Sequence, residues 1–368
     1  MTDPKIPYVN LMRQSLEEKT QLLECFEQVI DSGQFIGSTA IESFEKAIAK
    51  KFGFRHVIGV SSGTAALLLS IKALGIGPGD EVITAPNSYI TSTSSIVLAG
   101  ARPVFTDIQD DLNIDPKKVA KAINKNTKAI LPVHLSGRVA DMRSLMKIAN
   151  DNGLYIIEDA AQAIGSKYRG QFAGSFGNTA CFSAHPLKNL NAIGDAGFIS
   201  TDNEDTAKHI RILRNAGLKD RNTAVKWADV SRMDSLQAAI LSMRLKYLDS
   251  LIERRRQNAE QYLNQITTKA VQLPLENEWE FNTYHTFTIR TERREALMDE
   301  LERHGIGSAI HYPKPIHLNP VAKSLGYGLG SFPAAEHHAN QILSLPIHQY
   351  LSKAEIQLVS NTINKFYD

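Results

Sequence analysis

The sequence predicts an α/β protein: a large domain with a mostly parallel central sheet flanked by helices, and a smaller C-terminal α+β domain. Three observations point there. Short β-rich runs of strand length recur at residues 56–60, 81–85, 103–106, 129–133 and 154–157. Helical runs such as 65–74 and 143–151 lie between them, and strands spaced by helices pair in parallel through crossovers. From about Asp234 the pattern changes to long charged helices at 236–248 and 252–266. A strand-like 286–290, a helical 294–304 and a last helix from about Ser352 follow. The boundary therefore falls near residue 245, giving a large domain at 1–245 and a small one at 246–368.

Each element has its own signal. Two helices are expected in the first fifth of the chain, where Ser15-Leu16-Glu17-Glu18 and Thr39-Ala40-Ile41-Glu42 both fit a capping box. Gly33 and Gly53 follow those runs as stop signals. Residues 179–183 and 197–201 read as two further strands, and they flank the most unusual loop in the chain. Neither internal repeats nor low-complexity tracts interrupt the pattern.

The bulk properties exclude several classes. A formal net charge of +2 over 368 residues gives no reason to expect nucleic acid or an anionic membrane surface as partner. The two cysteines, Cys25 and Cys181, have no metal-ligand or redox spacing and read as buried thiols. No apolar run approaches the roughly 18 residues needed to span a bilayer. The opening MTDPKIPYVN has neither a basic segment before an apolar core nor a small-residue cleavage site. A cytoplasmic protein is the expectation.

Ligands of parallel sheets bind in the loops at the carboxyl ends of strands, and three loops there carry chemistry. Ser61-Ser62-Gly63-Thr64-Ala65-Ala66-Leu67 follows a strand and opens a helix. Glycine lets backbone N–H groups approach an anion, the helix N-terminus adds partial positive charge, and Thr64 adds a hydroxyl. A capped helix start without a ligand would read the same, but neither dinucleotide nor P-loop spacing is present, which leaves one small phosphate as the natural guest. In Glu158-Asp159-Ala160-Ala161-Gln162, two acids stand where a strand ends. A solvated carboxylate, a base or a partner for a protonated ring nitrogen all fit; without a His cluster, no metal is expected. Third comes Phe182-Ser183-Ala184-His185-Pro186-Leu187-Lys188-Asn189-Leu190. A lone lysine in an apolar loop has a lowered pKa, as a lysine that condenses with a carbonyl requires. Gly194-Asp195-Ala196-Gly197 behind it allows tight packing around a bulky group. His134 and His185 read as packing residues.

Taken in order, these segments resemble the DegT/DnrJ-type sugar aminotransferases, a branch of the fold type I pyridoxal-phosphate enzymes. SSGTAAL, GxGPGDEVI, EDAAQ, FSxHPLKNL and SRMDxLQAAI stand in the family's order and spacing over nearly the whole chain. The resemblance implies a homodimer with active sites at the interface and pyridoxal 5'-phosphate held by Lys188, the catalytic residue. It implies Asp159 at the pyridine nitrogen and Gln162 near the ring hydroxyl. Tyr89 would stack on the ring, with Gly63, Thr64 and Ser183 at the phosphate. Arg232, His311 and Tyr312 would bind substrate from the opposite subunit, the last two in the Pro-stiffened His311-Tyr312-Pro313-Lys314-Pro315. Substrates would be a nucleotide-linked keto-sugar, with the 3-keto sugar favoured by that loop, and glutamate, released as 2-oxoglutarate. A sugar dehydratase, a 4-keto or non-nucleotide acceptor, and a non-catalytic regulatory protein remain as alternatives. Lys188 argues against the dehydratases, which carry histidine there. Val230 departs from the asparagine that many members direct at the neighbouring subunit's cofactor phosphate, Asn215-Ala216-Gly217 lacks a frequent histidine, and Ala184 replaces a frequent aromatic.

Overall fold

The computed structural model describes residues 5–368; residues 1–4, part of the opening read for a targeting signal, lie outside them. Seven strands form the central sheet: β1 (His56–Val60), β2 (Glu81–Thr84), β3 (Arg102–Phe105), β4 (Thr127–Leu131), β5 (Tyr155–Asp159), β6 (Thr179–Ser183) and β7 (Gly197–Thr201). Their spatial order is β1-β7-β6-β5-β4-β2-β3. β3, β2, β4, β5 and β6 pair in parallel. β7 runs against both β6 and β1, so it alone is reversed. The expected fold class is present, a mostly parallel sheet flanked by helices.

Alternation along the strands builds two cores. Ile83, Ile130 and Ile156 face one helical layer, whereas their neighbours Val82, Ala129, Leu131 and Ile157 face the other. Burial on both faces explains why the strands read as unbroken apolar runs. A third cluster holds the C-terminal part together. There the pair Phe287–Arg290 and Ile342–Leu345 packs with helices Leu248–Gln265, Arg294–Arg303 and Lys353–Tyr367. Ile6 from the other end of the chain joins this cluster, bridging to Ile306, with its N–H on the Gly305 carbonyl at 3.0 Å. Among the described residues no helix is long and apolar enough to cross a membrane.

Both N-terminal capping boxes are misplaced. Ser15 lies inside the helix Leu11–Glu17, which is capped by Asn10 through a bond from the Arg13 N–H. Ser38, not Thr39, is the cap of Thr39–Phe52, and its hydroxyl makes no capping bond. Glu18, the acid of the first motif, is drawn away by Arg244 at 2.6 Å. The stop signals hold: Gly33 and Gly53 end their helices with φ of 62° and 75°, a conformation that disfavours other side chains. A capping box with both reciprocal bonds does occur, at Ser352 and Glu355.

Candidate active site

Four carboxyl-terminal strand ends converge on a cavity of about 450 Å³, lined by Ser62, Gly63, Thr64, Tyr89, Ser92, Asp159, Gln162, Ser183, Lys188, His311 and Tyr312, among others. At one end, the helix Gly63–Ala73 begins directly after β1. Ser62 caps it by accepting from the Ala65 N–H at 3.1 Å. Among the described residues, the N–H groups of Gly63 and Thr64 meet no acceptor. Gly63 is required here, because a Cβ would lie 2.8 Å from the Ser183 Cβ. Two free N–H groups, the positive end of a helix and two hydroxyls, on Thr64 and Ser183, make a seat for a phosphate.

Asp159 and Glu158 leave β5 on opposite faces, as adjacent strand residues must. Asp159 turns to the cavity, buried, accepting from the Ser92 hydroxyl at 2.8 Å and the Ala161 N–H at 3.2 Å. Burial raises its pKa, against the pull of Ser92, Ala161 and Lys188. Glu158 is also fully buried, so of the alternatives left open for this pair of acids neither residue is a solvated carboxylate. Glu158 accepts from the N–H groups of Gly174, Phe176 and Gly177 at 2.7–2.8 Å and pairs with His134 Nε2 at 2.9 Å. The Ala140 N–H donates to His134 Nδ1, so the His134 proton sits on Nε2, facing the carboxylate. His134 is the packing residue its position suggested.

Lys188 projects from a loop locked on all sides. Its own N–H bonds the His185 carbonyl, Asn191 spans to the Pro186 carbonyl at 2.7 Å, and Arg244 donates to the Asn191 carbonyl at 2.7 Å. Burial lowers the lysine amine to about 8, with Asp159 pulling the other way. His185 was expected to be a packing residue, yet it is exposed and lines the cavity.

Tyr89 and Tyr312 stand with ring centroids 5.7 Å apart. Gln162 lies within 3.5 Å of the Tyr312 hydroxyl and accepts from the Ser136 N–H at 2.7 Å. His311 and Tyr312 line the cavity of their own chain. The bridge between Ala309 and Ser344 ties the residues just before this loop to the C-terminal sheet beside the cavity. Arg232 is not on the cavity wall; it donates to Asn215 Oδ1 at 3.3 Å, and its buried Nε has no acceptor among the described residues.

Among the wall residues that sequence reading missed are Tyr8, Ser92, Arg255, His285 and His348. Only Arg255 had a legible signal. It falls in a helical stripe with Ile252, Ala259 and Tyr262, where the 3.6 period calls for an apolar side chain.

The donor set fits the pyridoxal phosphate that the resemblance implies. It offers free N–H groups at one end, a buried carboxylate with no cation within salt-bridge distance among the described residues, and a neutralisable lysine. Comparison with known proteins gives the same picture. The model of the DegT/DnrJ/EryC1/StrS aminotransferase family matches residues 16–364. A pleiotropic regulatory protein of Geobacillus stearothermophilus is 39% identical, covering 98% of this chain and 98% of its own. The dTDP-3-amino-3,4,6-trideoxy-alpha-D-glucose transaminase of Streptomyces venezuelae is 38% identical over 99% of this chain and 96% of its own. The crystal structure of S. venezuelae DesV in complex with a ketimine intermediate superposes with a TM-score of 0.97 at 38% identity, covering 100% of this chain and 99% of that one. NtdA of Bacillus subtilis with bound cofactor PMP superposes at 0.91 with 31% identity, covering 99% and 86%.

Proposed function

This chain belongs to the DegT/DnrJ/EryC1/StrS aminotransferase family and is a pyridoxal-phosphate-dependent sugar aminotransferase, and we propose that it aminates a nucleotide-linked 3-keto sugar with glutamate as amino donor. The observation that carries the reading is the meeting of Lys188, Asp159 and the Gly63–Thr64 helix start in one cavity. A purely regulatory role gives no reason for a lysine amine lowered to about 8 beside Asp159 in that cavity.

Each site residue has a part in this proposal. Pyridoxal phosphate, when bound, supplies the electron sink through which an amino group passes from donor to acceptor. Gly63, Thr64 and Ser183 would hold its phosphate, Tyr89 would pack against its ring, and Gln162 would orient its hydroxyl. Asp159, held by Ser92 and Ala161, keeps the ring-nitrogen proton in place, since a carboxylate stabilises a neighbouring cation. Lys188 would be the base that carries a proton at the reacting substrate carbon; an amine near 8 is matched to that task at neutral pH. His311 and Tyr312 position the sugar from within the same chain.

The acceptor position is testable directly. The reacting carbonyl must come within about 3–3.5 Å of the incoming amine, so a change from the 3- to the 4-carbon rotates the whole sugar about its diphosphate. The loop at Tyr312-Pro313-Lys314-Pro315 is stiffened by two prolines and fixes that rotation. Run in reverse with 2-oxoglutarate, the enzyme is expected to deaminate a 3-amino nucleotide sugar and ignore its 4-amino isomer; the opposite preference would reject the assignment.

Arg232 is proposed to serve the site of a second copy. It does not line its own cavity, and the exposed apolar side chains Leu16, Leu23, Phe26, Ile30, Phe35 and Ile36 support a dimer contact. Inactive Lys188→Ala subunits mixed with Arg232→Ala subunits are expected to regain partial activity, because one hybrid site joins two wild-type halves. Verified subunit exchange without rescue would show that each site is complete in one chain.

A further inference from the structure

Arg255 is a buried cation that no acid neutralises. Only 8% of it is exposed, and it is the one guanidinium among the residues lining the cavity. Its Nε donates to the Tyr284 carbonyl at 3.0 Å and its Nη2 to the His285 carbonyl at 2.8 Å. Among the described residues Nη1 meets no acceptor, and no carboxylate lies within salt-bridge distance.

A buried guanidinium without a counter-ion is costly, and the missing partner is normally an anion on a bidentate or single-edge contact. Nothing else on the wall fills that place. Burial holds His311 and His348 to about 4 and His285 well below its ordinary value, so all three are neutral near pH 7. Asp159 is engaged by Ser92 and Ala161. With Nε and Nη2 each donating to a backbone carbonyl, Arg255 offers its Nη1 side, which suits one carboxylate better than a diphosphate. Arg255 and Lys188 line the same cavity, and His285 feels the charges of both. An amino acid with its amine at the reacting centre brings its second carboxylate to this guanidinium, the one permanent cation on the wall besides Lys188.

We propose that Arg255 is the specificity-determining residue for the amino donor, seating the distal carboxylate of a dicarboxylic amino acid. This rests on the transaminase reading above. A donor with only an α-carboxylate leaves Arg255 unpaired and is discriminated against; the α-keto diacid formed from the donor occupies the same seat until it leaves.

The test separates the two half-reactions of the holoenzyme by following cofactor absorbance. Wild-type enzyme is expected to react with L-glutamate far faster than with L-alanine. In Arg255→Gln the glutamate rate constant kcat/KM is expected to fall on the order of 100-fold, the worth of a charge-assisted hydrogen bond, leaving alanine and the 3-amino nucleotide sugar within about threefold. Arg255→Lys, which keeps the cation, is expected to recover part of the preference. Calorimetric titration with glutarate, which has no amine to react, is expected to show binding to wild type and none to Arg255→Gln. Equal losses for glutamate, alanine and the amino sugar would make Arg255 a structural residue and overturn the proposal. So would glutarate binding that survives the substitution. If wild type responds to no amino acid or amino sugar, the transaminase reading itself fails; if it takes alanine as well as glutamate, Arg255 has no role in donor choice.

Discussion

Lys188→Ala is expected to abolish transamination, by at least on the order of 10⁴-fold or about 5.5 kcal/mol of barrier, while leaving the fold in place. The side chain makes no hydrogen bond that the loop depends on. Shape is held instead by Asn191, Arg244 and the Ala184–Ala192 backbone bond. Circular dichroism and the melting curve of the variant should match wild type. Borohydride reduction of the wild-type holoenzyme followed by peptide mapping should label Lys188, and a label on any other lysine would reject the assignment. The amine also has a pH signature. In the cofactor-free chain it should react with an amine-directed reagent half-maximally near pH 8, because burial has lowered it to about 8 from 10.5. Half-reaction near 10.5 would mean that the loop opens to water in solution.

Asp159→Asn ranks second, with an expected loss of about 100-fold or more, roughly 2.7 kcal/mol. The amide fits the same space and keeps the Ser92 hydroxyl and Ala161 N–H as neighbours. What it lacks is the charge that holds a proton on a ring nitrogen. Cofactor retention should therefore fall much less than turnover, which separates the electrostatic role from a packing role. A variant with near-normal rates would show that Asp159 is not the ring partner.

The sheet was legible because its strands are buried on both faces, so each one stood out as an apolar run between helical segments. Lys188, Asp159 and the Gly63 loop were legible for the same reason, since each directly follows such a run. The helix starts near Ser15 and Thr39 were not, because a Ser-x-x-Glu spacing records only local options. Tertiary partners decided between them when Arg244 claimed Glu18. The burial of Glu158 was hidden too, because three of its partners are backbone N–H groups 16 to 19 residues away, which leave no mark in side-chain identity. Arg255 could have been found by asking why a charge interrupts the apolar stripe from Ile252 to Tyr262. Ser92 and His285 lie in segments whose composition gives no such contradiction.

The pairing of Ile6 with Ile306 also has a consequence for biosynthesis. Tyr8 and Val9 form part of the cavity wall, yet the partners that hold residues 6–9 are synthesised some 300 residues after them. The Pro7 carbonyl waits for His348, later still. Contacts so far apart in the chain form late, because a long loop must close before they return any stabilisation. The parallel sheet and Lys188 can thus be in place on the nascent chain while one side of the cavity is still missing. A chain released before residue 348 would retain its lysine loop and lack the wall that encloses it.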